Sequence, residues 1–514
     1  MTTRQLRQLE AGDAGIHALA DEELPAGLRT ALIERCATLL RVFEQSDADC
    51  TDLLDCARAL DKAVGSSLDR LWLARAVIGA DLPTDVEMHE IVADFKLDGL
   101  WAALRPTLER IANYRRHVDV TVIQDAVTVD VGDTAGSTYL TGIQRVVRET
   151  CRRWMAHQYE ALYLNWSGRE RHLRRLTAEE HAALFDSDTP VPEIDEREVI
   201  IPWHGTHLIP ELAARPERTA RLLPLNRYSG CEVAYIGFDC VPIMAASTVG
   251  PGMTTNFSWN LAAIREADRV ATISHATADE YRGWRTMCYG RGASGPDIVA
   301  VPLPVEAREP SAEELEQARR LFTLRELPIV LVVGSHEPRK NHIAVLHAAD
   351  LLWRDGLEFT LAIVGGGSWN ADQYEATVAT LAGAGRSLMS MRALPDHLLW
   401  AAYKVADFVV FPSLHEGFGL PVAESLAAGT PVITSDFGSM REIVAPEGKP
   451  LGGLLVDPRD DHSIADAMRT LLTDRETAAR LAAETRQRSV RTWDHYATEL
   501  WDYLANGRPL SDKA

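Results

Sequence analysis

Apolar residues follow two different spacings along this chain, and the change falls near residue 119. Before it, stretches such as LRTALIERCATLLRVFEQ and ALDKAVGSSLDRLWLARAVI repeat apolar residues every three or four positions, which is typical of amphipathic helices. After it, short apolar runs of strand length alternate with helical segments. Residues 1–118 are therefore predicted to form a helical accessory domain, and the rest an α/β fold.

Two series of strands are predicted in the α/β part, separated by the proline-containing acidic segment at 301–320. The strands fall at 120–133, where one or two strands run into a loop, and at 159–165, 198–203, 232–237 and 269–273, then at 328–333, 358–364, 387–393, 407–412, 431–435 and 453–458. Such alternation predicts mostly parallel sheets covered by helices on both faces. We expect doubly wound, Rossmann-like domains at 119–305 and 306–485 that face each other across a cleft. A C-terminal helical segment at 486–514 is expected to pack back towards the first of them.

Composition narrows the class of protein. A chain of 514 residues is too long for a single core, so two or three domains are expected. The sequence shows neither a membrane span of roughly 20 apolar residues nor the apolar core of a signal peptide. Seven cysteines without a Cys-x-x-Cys pair favour reduced thiols in a cytoplasmic protein. A net charge of −21 argues against nucleic acid as a partner.

Two loops that follow predicted strands carry groups suited to a phosphorylated ligand. In GSHEPRKN, Gly334 permits a tight turn, and Arg339 and Lys340 stand where the next helix begins, which suits a diphosphate. In IVGGGSWN, Gly366 and its glycine neighbours would let the backbone approach a ligand. Either loop alone is also compatible with an ordinary strand-to-helix turn.

A third such loop is HEGFGLPVAES at 415–425. A proline suited to the first turn of a helix places Glu416 in the loop and Glu424 about one turn into the helix. The backbone amides that would face the cleft belong to Phe418, Gly419 and Leu420. The simpler interpretation has both glutamates interacting with the helix dipole. Together with the other two loops, the pattern favours a site for a sugar and its phosphates.

This E-x7-E motif, with GSHEPRKNH, IVGGG, ADRVATISHATADEY and TGIQRVVRE, resembles the retaining glycosyltransferases of family 4, which have the two-Rossmann GT-B architecture. The resemblance covers roughly 120–505 and leaves the helical domain outside. It implies transfer of a hexosyl group from a nucleotide diphosphate sugar to a glycan, lipid-linked or other hydroxyl acceptor, as in cell-surface polysaccharide or glycoconjugate synthesis. It implies neither a metal ion nor a cofactor besides this co-substrate. The RKN form of the first loop, which occurs in relatives that use GDP-mannose, favours a mannose- or rhamnose-like sugar on GDP or dTDP.

The resemblance also implies a role for each motif residue. Glu424 would bind the ribose hydroxyls, and Glu416 would lie beside the donor sugar and the reacting centre. Arg339 and Lys340 would neutralise the leaving diphosphate, and Gly142 in the TGIQR loop would approach it from the first, acceptor-binding domain. The residues expected to bind the donor are Glu424, Gly417, Phe418, Gly419, Leu420, Gly334, Gly366, Arg392 and Gly142.

On the acceptor side the sequence departs from the family pattern. Many relatives have a histidine before the aspartate of a strand-end pair, where IGFDCVP has Phe238 and Asp239. His204 and His207, in IPWHGTH after another first-domain strand, could reach the cleft instead, or could be ordinary surface or core residues. The candidate catalytic residues are therefore Glu416, Asp239, His204, Arg339 and Lys340.

Arginines cluster in the first α/β domain. They are Arg145, Arg148, Arg152 and Arg153 on its first helix, and further on Arg169, Arg171, Arg174 and Arg175. Such a face suits either a solvated surface or contact with a phosphate-bearing lipid acceptor or the inner face of a membrane. The helical domain offers a surface for self-association.

Two rival interpretations remain at this stage. One is a catalytically silent GT-B partner subunit, and the other is a GT-B phosphorylase or a nucleotide-sugar epimerase of similar fold. The intact Arg-Lys pair and both glutamates favour an active transferase over the silent subunit. No motif marks a lysine for the pyridoxal phosphate of a phosphorylase.

Overall fold

The computed structural model of the protein describes residues 26–44, 52–112, 118–137, 141–186, 198–290, 292, 295–322, 327–367, 369, 371–489 and 491–509. The first 25 residues of the predicted helical domain, and the last five of the predicted C-terminal segment, lie outside these ranges. The N-terminal helices are α1 (Ala26–Val42), α2 (Leu53–Val64), α3 (Leu68–Gly79), α4 (Asp85–Asp98) and α5 (Leu100–Ala112). Asp52, Ser67 and Thr84 cap the starts of α2, α3 and α4 by accepting bonds from first-turn amides. The prediction of a helical N-terminal region is confirmed.

The first sheet is mostly parallel. Its strands are β1 (Val120–Gln124), β2 (Val127–Asp130), β3 (Leu162–Trp166), β4 (Leu173–Arg175), β5 (Val199–Trp203), β6 (Thr206–Ile209), β7 (Glu232–Gly237), β8 (Arg269–Thr272) and β9 (Asp297–Ala300). They are ordered β1-β5-β4-β3-β2-β6-β7-β8-β9, and β4 runs antiparallel to both of its neighbours. Its helices are α6 (Gly132–Ala135), α7 (Gly142–Ala156), α8 (Ala178–Phe185), α9 (Pro216–Tyr228), α10 (Val241–Met244), α11 (Met253–Arg265) and α12 (His275–Tyr289). A short 3-10 turn at Ala246–Thr248 lies between α10 and α11.

Strands β4, β6 and β9 were not predicted from the sequence. The first has three residues and carries two arginines, so it lacks an apolar run. The second has only four residues and begins directly after the two-residue turn His204-Gly205 that follows β5, so it did not stand out as a separate strand. The third leads directly into the proline-containing segment that was interpreted as a domain boundary.

The second sheet is parallel throughout, and its order is that of a doubly wound nucleotide-binding domain. Its strands are β10 (Ile329–Val333), β11 (Thr360–Val364), β12 (Leu388–Met391), β13 (Phe408–Phe411), β14 (Val432–Ser435) and β15 (Gly453–Val456). They are ordered β12-β11-β10-β13-β14-β15, so the order reverses between β10 and β13. Ligands of such sheets bind at the carboxyl ends of the strands at that reversal. The loops after β10 and β13 are those that carry the Arg-Lys pair and Glu416.

Helices cover this sheet and close the chain. They are α13 (Ala312–Phe322), α14 (His342–Arg354), α15 (Asp372–Gly383), α16 (Asp396–Val405), α17 (Leu420–Ala427), α18 (Gly438–Val444), α19 (Asp461–Thr473), α20 (Arg475–Thr485) and α21 (Trp493–Leu504), with a 3-10 turn at Pro338–Lys340. Helix α21 packs on α7, where the indole Nε1 of Trp154 donates to the carbonyl of Ala497 at 2.9 Å. The Trp501 ring lies against Trp154 and Tyr159, with centroids 5.3 and 4.6 Å away. These contacts fix α7, whose opposite end faces the second domain.

A buried ion cluster joins the helical domain to the first sheet. The Asp81 carboxylate lies 2.8 Å from Arg75, 2.7 Å from Arg110 and 2.7 Å from Arg171, the last of which precedes β4. Burial opposes ionisation of Asp81, but the arginines outweigh it and hold its pKa at about 2. The stacked rings of Trp72 and Trp203 add an apolar contact across the same interface.

Replacing Asp81 with Asn should destabilise the protein by about 3–5 kcal/mol, because its arginines would remain buried without their carboxylate. The matched control is Asp55→Asn, which should change stability by less than about 0.5 kcal/mol, because Asp55 is 68% exposed and 3.7 Å from Arg58. Urea unfolding followed by circular dichroism compares them. The stabilisation by Asp81 should be complete above pH 4 and be lost as the pH falls towards 2, since folding depresses its pKa. Equal, small effects of the two substitutions would contradict this account.

Candidate active site

The loops after β10 and β13 meet on the carboxylate of Glu416. Its Oε1 lies 2.7 Å from Lys340 Nζ and accepts a hydrogen bond from Ser413 Oγ at 2.6 Å. Its Oε2 lies 2.6 Å from Arg339 Nη1, which also donates to the carbonyl of His415 at 2.7 Å. The structure therefore brings the Arg-Lys pair and the first glutamate of the motif into one cluster.

Glu416 remains ionised well below neutral pH. Burial alone would raise the pKa of its carboxyl, but Lys340 and Arg339 outweigh burial and lower the pKa to about 2. Burial likewise opposes the charge of Arg339, yet Glu416 and Glu337 raise the pKa of its guanidinium. These opposite charges hold the two loops rigidly together at the reversal of strand order.

Glu424, on α17, lies where the two domains meet. Its Oε1 is 2.8 Å from Arg145 Nη1 of the first domain, and its Oε2 accepts a hydrogen bond from the Tyr403 hydroxyl at 2.9 Å. The sequence analysis had placed Arg145 in a basic surface and had not singled out Tyr403. No sequence motif marked Tyr403 as a site residue, because it lies within the apolar pattern of α16.

The N-terminal ends of two helices lie against each other across the cleft. A Cβ added to Gly142, the first residue of α7, would lie 3.6 Å from the side chain of Leu420, the first residue of α17. Gly419 precedes α17 with a φ of +101°, which favours glycine. Unpaired amides and the helix dipoles make such ends suitable for an anion, as expected for a diphosphate.

Asp239, at the carboxyl end of β7, borders the site from the first domain. A Cβ on Gly417 would lie 2.7 Å from the Asp239 Cβ, so glycine permits this close approach. The Gly417 carbonyl accepts hydrogen bonds from Ser274 at 2.6 Å and from Thr277 at 2.9 Å. Burial raises the pKa of Asp239 despite the opposing charge of Arg339. Phe238 packs in the apolar core and is 2% exposed.

An imidazole lies near Asp239, but it comes from the second domain. His415 Nε2 is 2.7 Å from Glu280 Oε1, and Glu280 Oε2 accepts from the Cys240 amide at 3.1 Å. Burial would lower the pKa of His415, but Glu280 outweighs burial and raises it. The position of His415 next to Glu416 could have indicated a role in the site, but the sequence analysis did not single this residue out.

His204 does not reach the cleft, so that prediction was wrong. It lies in the turn between β5 and β6, its ring stacks on Trp203, and it adjoins Gly230 just before β7. Asp239 follows the other end of β7, a strand of six residues that is roughly 20 Å long. Because β6 pairs in parallel with β7 and Thr206 lies opposite Glu232, this turn falls at the amino edge of β6 and β7.

His207 is a core residue of β6. Its Nδ1 lies 2.8 Å from the hydroxyl of Thr128. Burial lowers its pKa to about 4, so the ring is neutral at physiological pH. Of the two interpretations of this histidine, the structure favours the core residue.

In the glycine loop after β11, the close contact falls on Gly365 instead of Gly366, which the sequence analysis had singled out. A Cβ on Gly365 would lie 1.8 Å from the carbonyl oxygen of Gly334, whereas a Cβ on Gly366 would meet nothing within 4 Å. Gly366 accepts a hydrogen bond from the His336 amide at 2.9 Å. Arg392 is 72% exposed and pairs with Glu375 at 2.6 Å, so it lies at the rim. The tight approach of the loops therefore depends on Gly365, which the sequence analysis did not single out.

The predicted basic face consists largely of internal ion pairs and hydrogen bonds. On α7, Arg148 donates to the Ser137 carbonyl, Arg152 contacts Asp186 and Glu149, and Arg153 contacts Glu149. In the second group, Arg171 pairs with Asp81, Arg174 with Glu180 and Arg175 with Glu198. These arginines are therefore largely paired within the domain, and contact of this helix with a lipid or a membrane stays a prediction. Among the described residues, no helix is both long and apolar enough to cross a bilayer.

Facing Rossmann-like domains with the site between them define the GT-B class of glycosyltransferase folds. Sucrose-phosphate synthase from Thermosynechococcus elongatus shares this fold at a TM-score of 0.51 and 19% identity, over 73% of this chain and 97% of that one. Residues 315–488, most of which lie in the second domain, match the model of the glycosyl transferases group 1 family.

Two curated relatives match parts of the chain. The serotype-specific mannosyltransferase WbdA of Escherichia coli is 26% identical over 328 residues, which are 61% of this chain and 39% of WbdA. The D-inositol 3-phosphate glycosyltransferase of Frankia alni is 36% identical over 215 residues, which are 40% of this chain and 52% of that protein. The matches thus span about two fifths to one half of the relatives' own lengths.

Replacing Gly365 with Ala should lower the melting temperature by several degrees, because the added methyl group would collide with the Gly334 carbonyl. Gly366→Ala is the matched control, and its melting temperature should stay within about one degree of wild type, because its methyl group meets no atom. Differential scanning fluorimetry measures both. Equal melting temperatures for the two variants would contradict the loop geometry.

Proposed function

We propose that the chain is a glycosyltransferase that moves a hexosyl group from a nucleotide diphosphate sugar to a hydroxyl acceptor, with retention of configuration and without a metal ion. The observation that carries this proposal is the Glu416 cluster with Lys340 and Arg339, at the reversal of strand order and beside paired helix N-termini. The match of residues 315–488 to the glycosyl transferases group 1 model and the similarity to a mannosyltransferase support it.

The donor would lie on the second domain. Its ribose hydroxyls would donate to the buried Glu424 carboxylate, and its diphosphate would lie beside the helix ends at Gly142 and Leu420. The sugar would then adjoin Glu416. A mannose- or rhamnose-like sugar on GDP or dTDP is the proposed donor, in keeping with the mannosyltransferase among the relatives.

Transfer breaks the bond between the sugar C1 and the donor phosphate oxygen and forms a bond between C1 and the acceptor oxygen. The acceptor proton passes to the departing phosphate oxygen on the same face, so the configuration is retained. Negative charge grows on the diphosphate, and Lys340 and Arg339 are held in place by Glu416 to stabilise it. This route needs no pair of carboxylates of the glycosidase kind.

The acceptor would approach from the Asp239 side. Residues 240–264, which follow Asp239, contain no charged residue, although the chain carries a net charge of −21. The exposed large apolar side chains of this segment are Ile243, Met244, Met253 and Trp259. An uncharged, apolar surface beside the reacting centre favours a lipid-linked acceptor over a small ionic one, as in synthesis of a cell-surface glycan.

A thermal-shift screen with GDP, UDP and dTDP should identify the base of the donor. A nucleotide at a hundredfold excess over its Kd stabilises the folded protein by about 2.7 kcal/mol, which raises the melting temperature. Glu424→Ala should abolish the shift, because the ribose loses its acceptor, whereas Glu447→Ala on the exposed surface of the same domain should retain it. The proposal would be overturned if none of the three nucleotides stabilised the wild type.

Glu416→Gln should separate binding from chemistry. The variant should bind the nucleoside diphosphate as tightly as wild type or more tightly, because Lys340 and Arg339 lose a competing negative charge. Sugar transfer should fall about a hundredfold or more, because the cluster no longer positions the donor sugar. Calorimetric titration and release of nucleoside diphosphate from the sugar nucleotide measure the two properties. Unchanged turnover would show that this carboxylate has no part in the reaction.

A further inference from the structure

We infer that Arg145 is a donor-recognition residue that exchanges partners when the donor binds. In the structure its guanidinium holds one oxygen of Glu424. On donor binding, ribose hydroxyls would take that oxygen, and the guanidinium would turn to the diphosphate. This inference rests on the proposed function and assigns a first-domain cation to the donor site.

The two partners of Glu424 differ in their freedom to leave. Tyr403 is fully buried on α16 and donates to Oε2 at 2.9 Å, so its hydroxyl is fixed by the surrounding core. The Arg145 side chain is 40% exposed and reaches Oε1 from the other domain. An incoming hydroxyl can therefore replace Arg145 at Oε1 while Tyr403 keeps the carboxylate in place.

Arg145 is also placed to reach a diphosphate. It lies three residues, about one helical turn, after Gly142, and this turn faces Leu420 at the start of α17. Both helix ends attract anions, so a diphosphate would lie within reach of the guanidinium. The far end of α7 is fixed by the bond of Trp154 to Ala497, so the exchange needs only the side chain to move.

Charge balance favours the same assignment. Arg339 already contacts Glu416 and Glu337, and Lys340 contacts Glu416, so the second-domain cations are offset by carboxylates before a diphosphate arrives. Ribose hydroxyls are neutral, and their binding to Glu424 would release one guanidinium charge at the site. The planar fork of an arginine binds phosphate through paired hydrogen bonds. If Arg145 moves from Glu424 to the diphosphate, its guanidinium keeps an anionic partner, and the Glu424 carboxylate is hydrogen-bonded by the ribose hydroxyls instead.

The test compares Arg145→Met with Arg153→Met on the same helix. Arg153 lies eight residues further along α7 and pairs with Glu149, away from the cleft. Dissociation constants are measured by calorimetry and by ligand-observed NMR for whichever of GDP, UDP and dTDP gives the largest thermal shift, and for the corresponding nucleoside. Arg145→Met should weaken diphosphate binding about tenfold or more, while nucleoside binding is unchanged or tighter. Arg153→Met should change neither.

The different responses of the diphosphate and the nucleoside distinguish the inference from simpler roles. If both ligands bound more tightly to Arg145→Met, the arginine would only compete with ribose. If both weakened equally, it would only hold Glu424 in place, and if neither changed, it would have no role in donor binding. Each of these results overturns the inference. If Arg145→Met proves unstable, Arg145→Lys, which keeps the charge without the fork, should weaken the diphosphate alone and to a smaller extent.

The proposed function fails in a different way from this inference. If the wild-type protein bound none of GDP, UDP and dTDP, the donor site itself would be wrong. If the wild type bound a nucleoside diphosphate and Arg145→Met bound it equally well, only the role of Arg145 would be wrong.

Discussion

A buried carboxylate between two cations organises the second domain of this protein. Glu416 alone in the cleft would be costly, and so would Lys340 and Arg339 alone, because each charge loses its hydration. Together, and with the Ser413 hydroxyl, they form a cluster in which every charge has a partner. The cluster forms only if the loops after β10 and β13 meet, and those loops meet where the strand order reverses. The fold and the electrostatics of the site therefore depend on each other.

The first domain closes on this cluster through polar contacts. The start of α12 makes two sets of hydrogen bonds to the second domain. The hydroxyls of Ser274 and Thr277 donate to the Gly417 carbonyl. The backbone amides of His275 and Ala276 donate to the Glu442 carboxylate. The His415–Glu280 pair adds a charged contact beside them. Two of these contacts end on the carbonyl of Gly417, the residue between Glu416 and Phe418. The contacts that join the two domains therefore lie directly beside the Glu416 cluster.

Much of this arrangement could be predicted from the sequence, because it depends on local rules. Hydrophobic periodicity indicated the helical region and the second series of strands, and the glycines and prolines of the loops indicated where helices begin. Parallel strands place their following loops at one edge, which is sufficient to bring Glu416 near Lys340 and Arg339. The E-x7-E motif then connected that edge to a known family.

The contacts between domains could not be predicted in this way. Arg145 and Glu424 are 279 positions apart, and the arginine stood among others whose spacing suggested a surface. His415 was overlooked and His204 was favoured, because the sequence does not show on which edge of a sheet a turn falls. Gly366 was chosen over Gly365, because the distinction depends on the approach of the Gly334 carbonyl from another loop.

The structure of the protein with GDP, UDP or dTDP bound would test the central claim most directly. The account predicts ribose hydroxyls within hydrogen-bonding distance of the Glu424 carboxylate. It also predicts the diphosphate beside Lys340, Arg339 and the first amides of α17. A nucleotide bound elsewhere, or with its phosphates beyond the reach of Lys340 and Arg339, would contradict it.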